Sequence, residues 1–324
     1  MKVCSLFSGI GGIDLGFQQA GFDIIWANEI DKDAANTYRY NFGAEYLVEK
    51  DIRKVNVLDI PDFDVLVAGF PCQSFSTAGK QRGFEDSRGN LFFQVARIAE
   101  AKRPKVIFLE NVANLLEHDD GKSFLTVYNT LVPYGYSFKY QVLDACRYGN
   151  VPQHRERIFI VAFLDNNLCE RFCFPEEIPL TKTINDIVDT TIKHSDCYYY
   201  NDSNPFYKDL TKTVKSDQAI YRIYDYGISS KAHTICPTMT AYMGKCNERI
   251  PIIKDDFGIR MLTPYECLAL QGFPNEFKFP KIPLNSAYKQ CGNSVAVPVV
   301  KRIATNIFSI LNTMDGRVQI VKNL

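Results

Sequence analysis

The chain has 324 residues, of which 46% are hydrophobic and 23% are charged, the composition of a globular protein with a sizeable core. Its 37 Lys and Arg residues balance 37 Asp and Glu residues, which argues weakly against a nucleic-acid partner, although a balanced chain can still carry a local basic face. The first residues lack a charged region followed by a long apolar segment, and no window approaches about 18 consecutive apolar residues, so the sequence predicts neither a signal peptide nor a membrane span.

Apolar runs of strand length alternate with segments of helical periodicity as far as about residue 165. The predicted strands are VCSLF, DIIWAN, DVLVAG, KVIFLEN and RIFIVAF, and the predicted helices are GIDLGFQQAG, DKDAANTYRYN, LFFQVARIAEAKR and FLTVYNTLVPYG. Such alternation is typical of parallel strands joined by crossover helices. The sequence therefore predicts an α/β fold with a doubly wound, mostly parallel sheet.

The pattern changes after about residue 180. Residues 181–265 lack the alternation, are rich in Lys, Asp, Ser and Thr, and hold half of the 18 tyrosines, which indicates a second, smaller, irregular or β-rich domain. Residues 266–324 regain helical periodicity and would return to the first domain as a closing helix. We therefore expect one domain over 1–180 plus 266–324 and another over 181–265.

Cysteine and histidine usage bears on redox state and metals. The 10 cysteines show no regular short spacing, which in a chain without an export signal indicates free thiols and a cytoplasmic location. None of the 4 histidines lies at a zinc-like spacing from a cysteine, so we expect no metal site.

A glycine-rich turn, FSGIGG, follows the first strand and opens the first helix. Its glycines would let the backbone approach a ligand, and a helix N-terminus attracts negative charge. The spacing differs from the dinucleotide fingerprint, so the turn alone fits either a nucleoside-type cofactor or a merely tight turn. Glu29, at the end of the second strand, stands where such folds read ribose hydroxyls, and Asp51 could accept a hydrogen bond from an adenine amino group.

Several reactive side chains follow the strands. Pro71 ends the DVLVAG strand because it cannot donate to a ladder, so Cys72 lies at the carboxyl edge of the sheet, where ligands bind in open α/β folds. Most free cysteines are instead small core residues. Glu110 should emerge at the same edge, unless it only caps a helix. Arg155 and Arg157, two residues apart, suit a phosphate or a carbonyl oxygen.

Six motifs in order carry a family resemblance. FSGIGG, GFPCQSFS, ENV, QHRER, RMLTPYECLALQGFP and GNSVAVP together resemble the DNA (cytosine-5)-methyltransferases, particularly the compact enzymes of bacterial restriction–modification systems, and they span nearly the whole chain except about 181–259. The resemblance implies a Rossmann-like fold that uses S-adenosyl-L-methionine, yields S-adenosyl-L-homocysteine and needs no metal. It implies a target-recognition domain over 181–265 and a monomer that acts on double-stranded DNA near the nucleoid. A cognate restriction endonuclease acting on the same site without a stable complex is compatible with it.

The resemblance also implies catalytic roles. Cys72 would add to carbon 6 of a flipped-out cytosine, Glu110 would hold or protonate ring N3, and Arg157 would hold the O2 carbonyl. Arg155 would brace the site or bind a phosphate.

Cofactor contacts follow from the same motifs. Phe7 would stack on adenine, the glycine turn would approach the methionine end, Glu29 would bind ribose, and Asp51 with Ile52 would contact the adenine edge. Ile30 replaces an aromatic residue that relatives often carry, so we expect different adenine packing there. The full expected set is Phe7, Gly9, Gly11, Gly12, Glu29, Ile30, Asp51, Ile52, Pro71, Leu91, Asn293 and Val295.

DNA contacts are expected in two places. Residues 73–90 look like a lid that closes over the flipped base, with Gln73, Ser76, Lys80, Arg82 and Arg88 toward the DNA. In the recognition domain, Lys245 and Arg249 would reach guanine edges or merely touch the backbone. On charge alone, such cations also fit an ordinary solvated face.

Three other classes of protein compete with this interpretation. A nicotinamide-dependent oxidoreductase would explain the sheet and the glycine turn but would leave Cys72, Glu110 and the arginines without a task. An RNA cytosine methyltransferase would share the carbon chemistry. A catalytically silent DNA-binding protein would need a damaged motif, and all six are intact.

Overall fold

The structure is a computed structural model that describes residues 1–71, 91–224, 227–228 and 232–313. Seven strands form one sheet in the order β3-β2-β1-β4-β5-β7-β6. Their bounds are β1 (Lys2–Leu6), β2 (Asp23–Glu29), β3 (Leu47–Glu49), β4 (Val65–Gly69), β5 (Val106–Val112), β6 (Ser137–Asp144) and β7 (Glu156–Phe163). Strands β1 to β5 run parallel, and β7 is antiparallel to both β5 and β6. The predicted doubly wound, mostly parallel sheet is confirmed.

Helices cover both faces of this sheet. The helices of the described residues are α1 (Gly12–Gln19), α2 (Lys32–Phe42), α3 (Leu91–Lys102), α4 (Lys122–Leu131), α5 (Ala145–Tyr148), α6 (Asn166–Arg171), α7 (Tyr207–Thr213), α8 (Pro264–Ala269), α9 (Leu284–Asn293) and α10 (Val297–Asn312). The C-terminal helix α10 packs on α1, as expected of a closing helix. The approach is close, because a Cβ at Gly16 would lie 2.6 Å from Cγ1 of Val300.

The central strands are apolar because each contributes side chains to two hydrophobic cores, one on either face of the sheet. Val3 belongs to the core on one face of the sheet and Cys4 to the core on the other, because successive strand residues point to opposite faces. The same alternation places Val65 in the first core and Leu66 in the second. Since helices cover both faces, the central strands are apolar along most of their length.

The region over 181–265 contains short antiparallel pairs, β8 (Ile223–Tyr224) with β9 (Gly227–Ile228) and β10 (Ile252–Asp255) with β11 (Gly258–Met261), together with several 3₁₀ turns. Its buried residues join those of the last segment in a third core, which includes Ile184, Met239, Leu268 and Tyr288. A smaller, irregular region with some β structure is therefore present, and it shares a core with the rest of the chain.

Two features tie this region to the C-terminal segment. Arg260 is fully buried and donates to Asp255 over 2.7 Å and to both carboxylate oxygens of Glu266 over 2.8 Å. The backbone of Gly292 in α9 meets the turn at Thr240 so closely that a Cβ at residue 292 would lie 2.1 Å from the carbonyl carbon of Thr240.

Within the described residues, no single helix has the length and apolar character needed to cross a membrane. The bent pair α9 and α10, which meet at 41°, passes that test only when the two are taken together. One face of α10 is buried in the first core.

Candidate active site

A cavity with about 600 Å³ of empty space, its open mouth included, lies at the carboxyl ends of β1, β2, β4 and β5. This is the edge at which open α/β sheets bind ligands. The structure brings seven of the residues predicted from the sequence together around it: Phe7, Gly9, Gly12, Glu29, Glu110, Asn293 and Val295.

The glycine turn after β1 forms one wall of the cavity. Gly9 has φ 56°, and a Cβ built there would meet no atom within 4 Å, so this glycine leaves the cavity open. At Gly11 and Gly12 a side chain is excluded by close packing rather than by the need for an open cavity. A Cβ at Gly11 would lie 2.3 Å from the ring of Phe42, and one at Gly12 would lie 2.6 Å from Oγ of Ser294. Gly11 does not line the cavity, so its absent side chain serves packing.

Glu29 is fixed at the end of β2 by backbone amides. Its Oε2 accepts from the amide of Gly9, and its Oε1 accepts from the amides of Ile30 and Asp31, each over 2.8 Å. The carboxylate thus links the glycine turn to the start of α2 and presents an acceptor to the cavity. The side chain of Ile30 is 61% exposed and does not line the cavity.

Glu110 lies at the end of β5 with Arg157 beside it. The distance from Oε1 of Glu110 to Nε of Arg157 is 3.1 Å, and both side chains are largely buried. Burial raises the pKa of the Glu110 carboxyl above its ordinary value, and the charges of Arg157 and Arg155 oppose that rise only in part. A carboxyl in this setting can donate a proton to a ring nitrogen, while the guanidinium can hold a carbonyl oxygen.

Arg155 has a different environment. Its guanidinium is buried and donates to the carbonyl oxygens of Met239 at 2.8 Å, of Gly292 at 3.1 Å and of Ser294. These acceptors belong to the region over 181–265, to the end of α9 and to the loop after it. Of the two roles expected for Arg155, this arrangement favours bracing over phosphate binding.

The turn before Arg155 contains a grouping that sequence spacing did not reveal. Nδ1 of His154 lies 2.9 Å from Oδ2 of Asp144 and 3.4 Å from Sγ of Cys146. The potential ligand atoms of the three residues lie within 4.8 Å of one another. Oδ1 of Asp144 also accepts from the amide of Arg155 over 2.8 Å, so the grouping fixes the backbone that leads into the arginine pair.

Among the described residues, four others expected at the cofactor do not line this cavity, namely Asp51, Ile52, Pro71 and Leu91. Asp51 pairs with Arg53 at 2.6 Å and caps the following 3₁₀ turn, beside the buried Ile52. Pro71 is exposed, and Leu91 begins α3. The expected residues Cys72, Gln73, Ser76, Lys80, Arg82 and Arg88 lie outside the described residues.

Residues that sequence reasoning missed form much of the cavity wall: Ser8, Ile10, Ile13, Asp31, Ala34, Gly69, Lys289, Gln290 and Ser294. Most are neighbours of predicted residues. Lys289 had a weak signal, because it stands four residues before Asn293 and therefore on the same face of α9. Nothing local in the sequence shows that α9 packs against α2.

The two cations of the region over 181–265 that are expected to contact DNA are Lys245 and Arg249, four residues apart in the sequence. Lys245 is exposed after the turn Ala241–Gly244, and the guanidinium of Arg249 lies 5.8 Å from the ring centroid of Tyr242. Tyr242 is 53% exposed, so this cation–π pair faces the surface of the region.

Comparison with known proteins identifies the family. The profile described as C-5 cytosine-specific DNA methylase matches residues 1–309. The Type II methyltransferase M.Bsp6I of Bacillus sp. (strain RFL6) is 48% identical over 311 residues, which cover 95% of this chain and 98% of that protein. M.HhaI of Haemophilus parahaemolyticus is 39% identical, with 96% and 95% covered. The S. pombe Dnmt2 methyltransferase structure has a similar fold, with a TM-score of 0.73 at 21% identity over 96% of this chain and 99% of that one. The chain thus belongs to the C-5 cytosine-specific DNA methylases and is a DNA (cytosine-5)-methyltransferase.

Proposed function

We propose that the protein transfers a methyl group from S-adenosyl-L-methionine to carbon 5 of a cytosine in a specific short sequence of double-stranded DNA. In this proposal the cytosine is flipped out of the helix and forms a covalent bond with Cys72. The product protects DNA from a cognate nuclease in a restriction–modification system. The protein acts as a monomer on cytoplasmic DNA.

The observation that carries the proposal is the position of the Glu110–Arg157 pair. The two side chains are 3.1 Å apart, and Glu110 lines the same cavity as Glu29. A group that activates a pyrimidine ring therefore adjoins a site with an acceptor for ribose hydroxyls. A nicotinamide-dependent oxidoreductase would have no use for the Glu110–Arg157 pair.

The chain's own residues divide the chemistry as follows. The Cys72 thiolate adds to carbon 6 of cytosine, while Glu110 protonates or hydrogen-bonds N3 so that the electron pair from the addition is dispersed. Arg157 holds the O2 carbonyl and keeps Glu110 in place. S-adenosyl-L-methionine, when bound, supplies an electrophilic methyl group for the activated carbon 5. Loss of the proton from carbon 5 and expulsion of the thiolate then release 5-methylcytosine.

The residues of the cavity fit that cofactor. The open side of Gly9 leaves room for a ligand beside the glycine turn. Glu29 would hold the ribose and Phe7 would contact the adenine, with Asn293 and Val295 closing the other side. Asp51, Ile52, Pro71 and Leu91 stay proposals for the adenine edge.

Recognition of the target is assigned to residues 181–265, with Lys245 and Arg249 as candidates for base contacts. Extruding a base costs a few kcal/mol, and closure of residues 73–90 over the DNA would offset that cost. The cations of that segment, Lys80, Arg82 and Arg88, would bind phosphates.

The test is bisulfite sequencing of plasmid DNA from cells that express the chain. We expect one short sequence context to be protected at a single cytosine. A parallel assay with tRNA would detect RNA methylation. Methylation of tRNA without methylation of duplex DNA would overturn the proposal.

A further inference from the structure

Three side chains of types that bind transition metals converge beside the turn that leads into Arg155. They are Asp144 at the end of β6, Cys146 in α5 and His154 before β7, and we call them the His154 cluster. Their potential ligand atoms all lie within 4.8 Å of one another, and no other such group of three occurs within the described residues. None of the three lines the cavity of the candidate active site, so the cluster is a separate feature of the molecule.

The antiparallel pairing of β6 with β7 brings the cluster together. Asp144 stands opposite Glu156 in this pairing, and His154 lies two residues before Glu156. Asp144 also caps α5, since its Oδ1 accepts from the amide of Cys146 over 3.4 Å, which holds Cys146 next to the carboxylate. Because His154 follows Cys146 by eight positions, outside the usual spacing of zinc ligands, the sequence alone did not indicate the cluster.

One ring nitrogen of His154 faces two groups at once. Nδ1 lies 2.9 Å from Oδ2 of Asp144 and 3.4 Å from Sγ of Cys146. In a neutral imidazole this nitrogen is either a donor or an acceptor, so it can serve only one of the two groups as a full hydrogen-bond partner. A cation between the three atoms would be bound by all of them together.

The distances suit a small tetrahedral ion after a modest shift. With bonds of about 2.1 Å to nitrogen and oxygen and about 2.3 Å to sulfur, tetrahedral angles separate nitrogen from oxygen by about 3.4 Å and nitrogen from sulfur by about 3.6 Å. The observed separations of 2.9 Å and 3.4 Å are slightly shorter. The side chain of His154 is 58% exposed, so its ring has room to move outward, and the exposed side leaves a fourth position open to water.

The ligand types select the class of ion. Imidazole and thiolate groups favour zinc and related transition metals, whereas Mg²⁺ and Ca²⁺ prefer oxygen ligands. One carboxylate and one thiolate also supply two negative charges, which balance a divalent cation.

We propose that the His154 cluster binds a zinc-class divalent cation through Oδ2 of Asp144, Sγ of Cys146 and Nδ1 of His154. On binding, the thiol of Cys146 releases its proton to solvent and its sulfur bonds to the ion as a thiolate. The ion takes no part in methyl transfer, because its ligands lie outside the cavity of the candidate active site.

The position of the site gives the ion a structural role. The amide of His154 donates to the carbonyl oxygen of Cys236 over 2.8 Å, and the carbonyl oxygen of His154 accepts from Oγ1 of Thr238 over 2.7 Å. The backbone of His154 is therefore already attached to the region over 181–265. A bound ion attaches its side chain to the end of β6 and to α5, so it stabilises the junction between the sheet and that region.

The experiment uses the full-length protein after removal of metals with a chelator. Titration with Co²⁺ should produce a sulfur-to-cobalt charge-transfer band and the strong visible bands of a tetrahedral site, saturating at one equivalent, and Zn²⁺ should abolish them. Competition with a chromophoric chelator measures the Kd of Zn²⁺. Since loss of an outer-shell partner alone typically costs about 10- to 100-fold in metal affinity, His154→Gln and Cys146→Ser should each weaken Zn²⁺ binding by at least about 100-fold.

Matched controls remove thiols elsewhere in the chain. Cys173 is an exposed free thiol, so Cys173→Ala should keep the full cobalt spectrum, as should Cys72→Ala. Absence of saturable Co²⁺ binding, or a spectrum that persists in His154→Gln, would overturn the inference. The histidine variant alters an exposed side chain and decides the question even if Cys146→Ser does not fold.

Thermal unfolding tests the structural role. Zn²⁺ in about 100-fold excess over its Kd should raise the Tm of the wild type by about 3 °C and leave that of His154→Gln unchanged. Binding of Zn²⁺ without a rise in Tm would show that the ion does not stabilise the junction.

Discussion

Glu110 and Arg157 meet diagonally across two antiparallel strands. In the pairing of β5 with β7, Arg157 stands opposite Val112, two residues from Glu110, so both side chains emerge on the same face. The result is the ion pair of 3.1 Å at the edge of the cavity. The antiparallel strand β7 thereby brings a guanidinium to an edge otherwise built from parallel strands.

Replacing Glu110 by Gln should slow methyl transfer while specific DNA binding is retained. The amide keeps the shape of the carboxyl but cannot serve as an acid, and loss of an acid–base group usually lowers the rate by about 10²- to 10⁴-fold. Single-turnover methylation of a substrate duplex measures this. Glu156→Gln, an exposed neighbour on β7, is the control. A loss smaller than tenfold would show that the proposed role is wrong.

Cys72→Ala and Cys72→Ser should abolish methylation and leave cofactor binding intact, because the thiolate acts on cytosine. The wild-type protein should also form a denaturant-resistant adduct with a substrate duplex that contains 5-fluorocytosine, since fluorine at carbon 5 blocks the last elimination. The exposed free thiol of Cys173 offers the control variant Cys173→Ala. If no adduct forms at a proven target site, the covalent mechanism fails.

Arg155→Met should destabilise the fold rather than only the reaction. The change leaves the carbonyl oxygens of Met239, Gly292 and Ser294 buried without their donor. We expect the free energy of unfolding to fall by about 3 kcal/mol or more, measured by urea denaturation. The surface variant Arg171→Met should cost less than about 1 kcal/mol, and a similar value for Arg155→Met would contradict the bracing role.

Asp14 should make stability depend on pH. Its carboxylate is fully buried in α1 and accepts from Ser5 at 2.6 Å and Tyr38 at 2.7 Å. Burial raises its pKa from 3.8 to about 6 despite these bonds. The folded state then binds the proton more tightly than the unfolded state, so the contribution of Asp14 to stability declines as the pH rises from about 4 to 6 and is constant above.

Asp14→Asn should remove that decline. Urea denaturation of the variant and the wild type at intervals between pH 4.5 and pH 8 would show the stability difference shifting in favour of the variant as the pH rises, by about 2 kcal/mol over this range. The exposed Asp59→Asn should shift nothing. A difference that is constant with pH would rule out the raised pKa.

Lys245→Ala and Arg249→Ala distinguish reading of bases from binding of the backbone. Loss of a base contact should cost about 1–3 kcal/mol at the target and relax one position of the recognised sequence. Loss of a phosphate contact should weaken binding to all sequences alike and reduce its dependence on salt. Competition binding between target and altered duplexes, with bisulfite sequencing of the methylated products, separates the two outcomes.

The local sequence was enough to predict which strand ends carry the acidic residues of the site. Glu29 and Glu110 were placed at strand ends because apolar runs followed by polar residues mark where strands leave the sheet. Strand β6 was not predicted, since most of its residues are only half-buried at the sheet edge and its apolar pattern is weak. Because β6 precedes β7 and pairs with it in the antiparallel sense, the direction of β7 could not be predicted without β6.

Tertiary packing decided the rest. Lys289 and Gln290 reach the cavity only because α9 lies on α2, a contact between residues about 250 positions apart. The carbonyl partners of Arg155 come from two other parts of the chain, so its bracing arrangement had no local signal. Asp51 pairs with Arg53, two positions along the chain, in a contact that the motif alone did not indicate.

Under the proposal that residues 181–265 read the DNA target, the contact of Gly292 with Thr240 limits how this chain can acquire a new target. Because the backbones touch there, and Gly244 fits equally closely against Asn285, the turn over 240–244 can accept little change in its path. The exposed side chains that follow, such as Lys245, are under no such restriction. Under the same proposal, the part held by α9 and the part free to vary both lie within residues 181–265, and we expect new specificities to arise by substitution on the outer surface while α9 keeps its place.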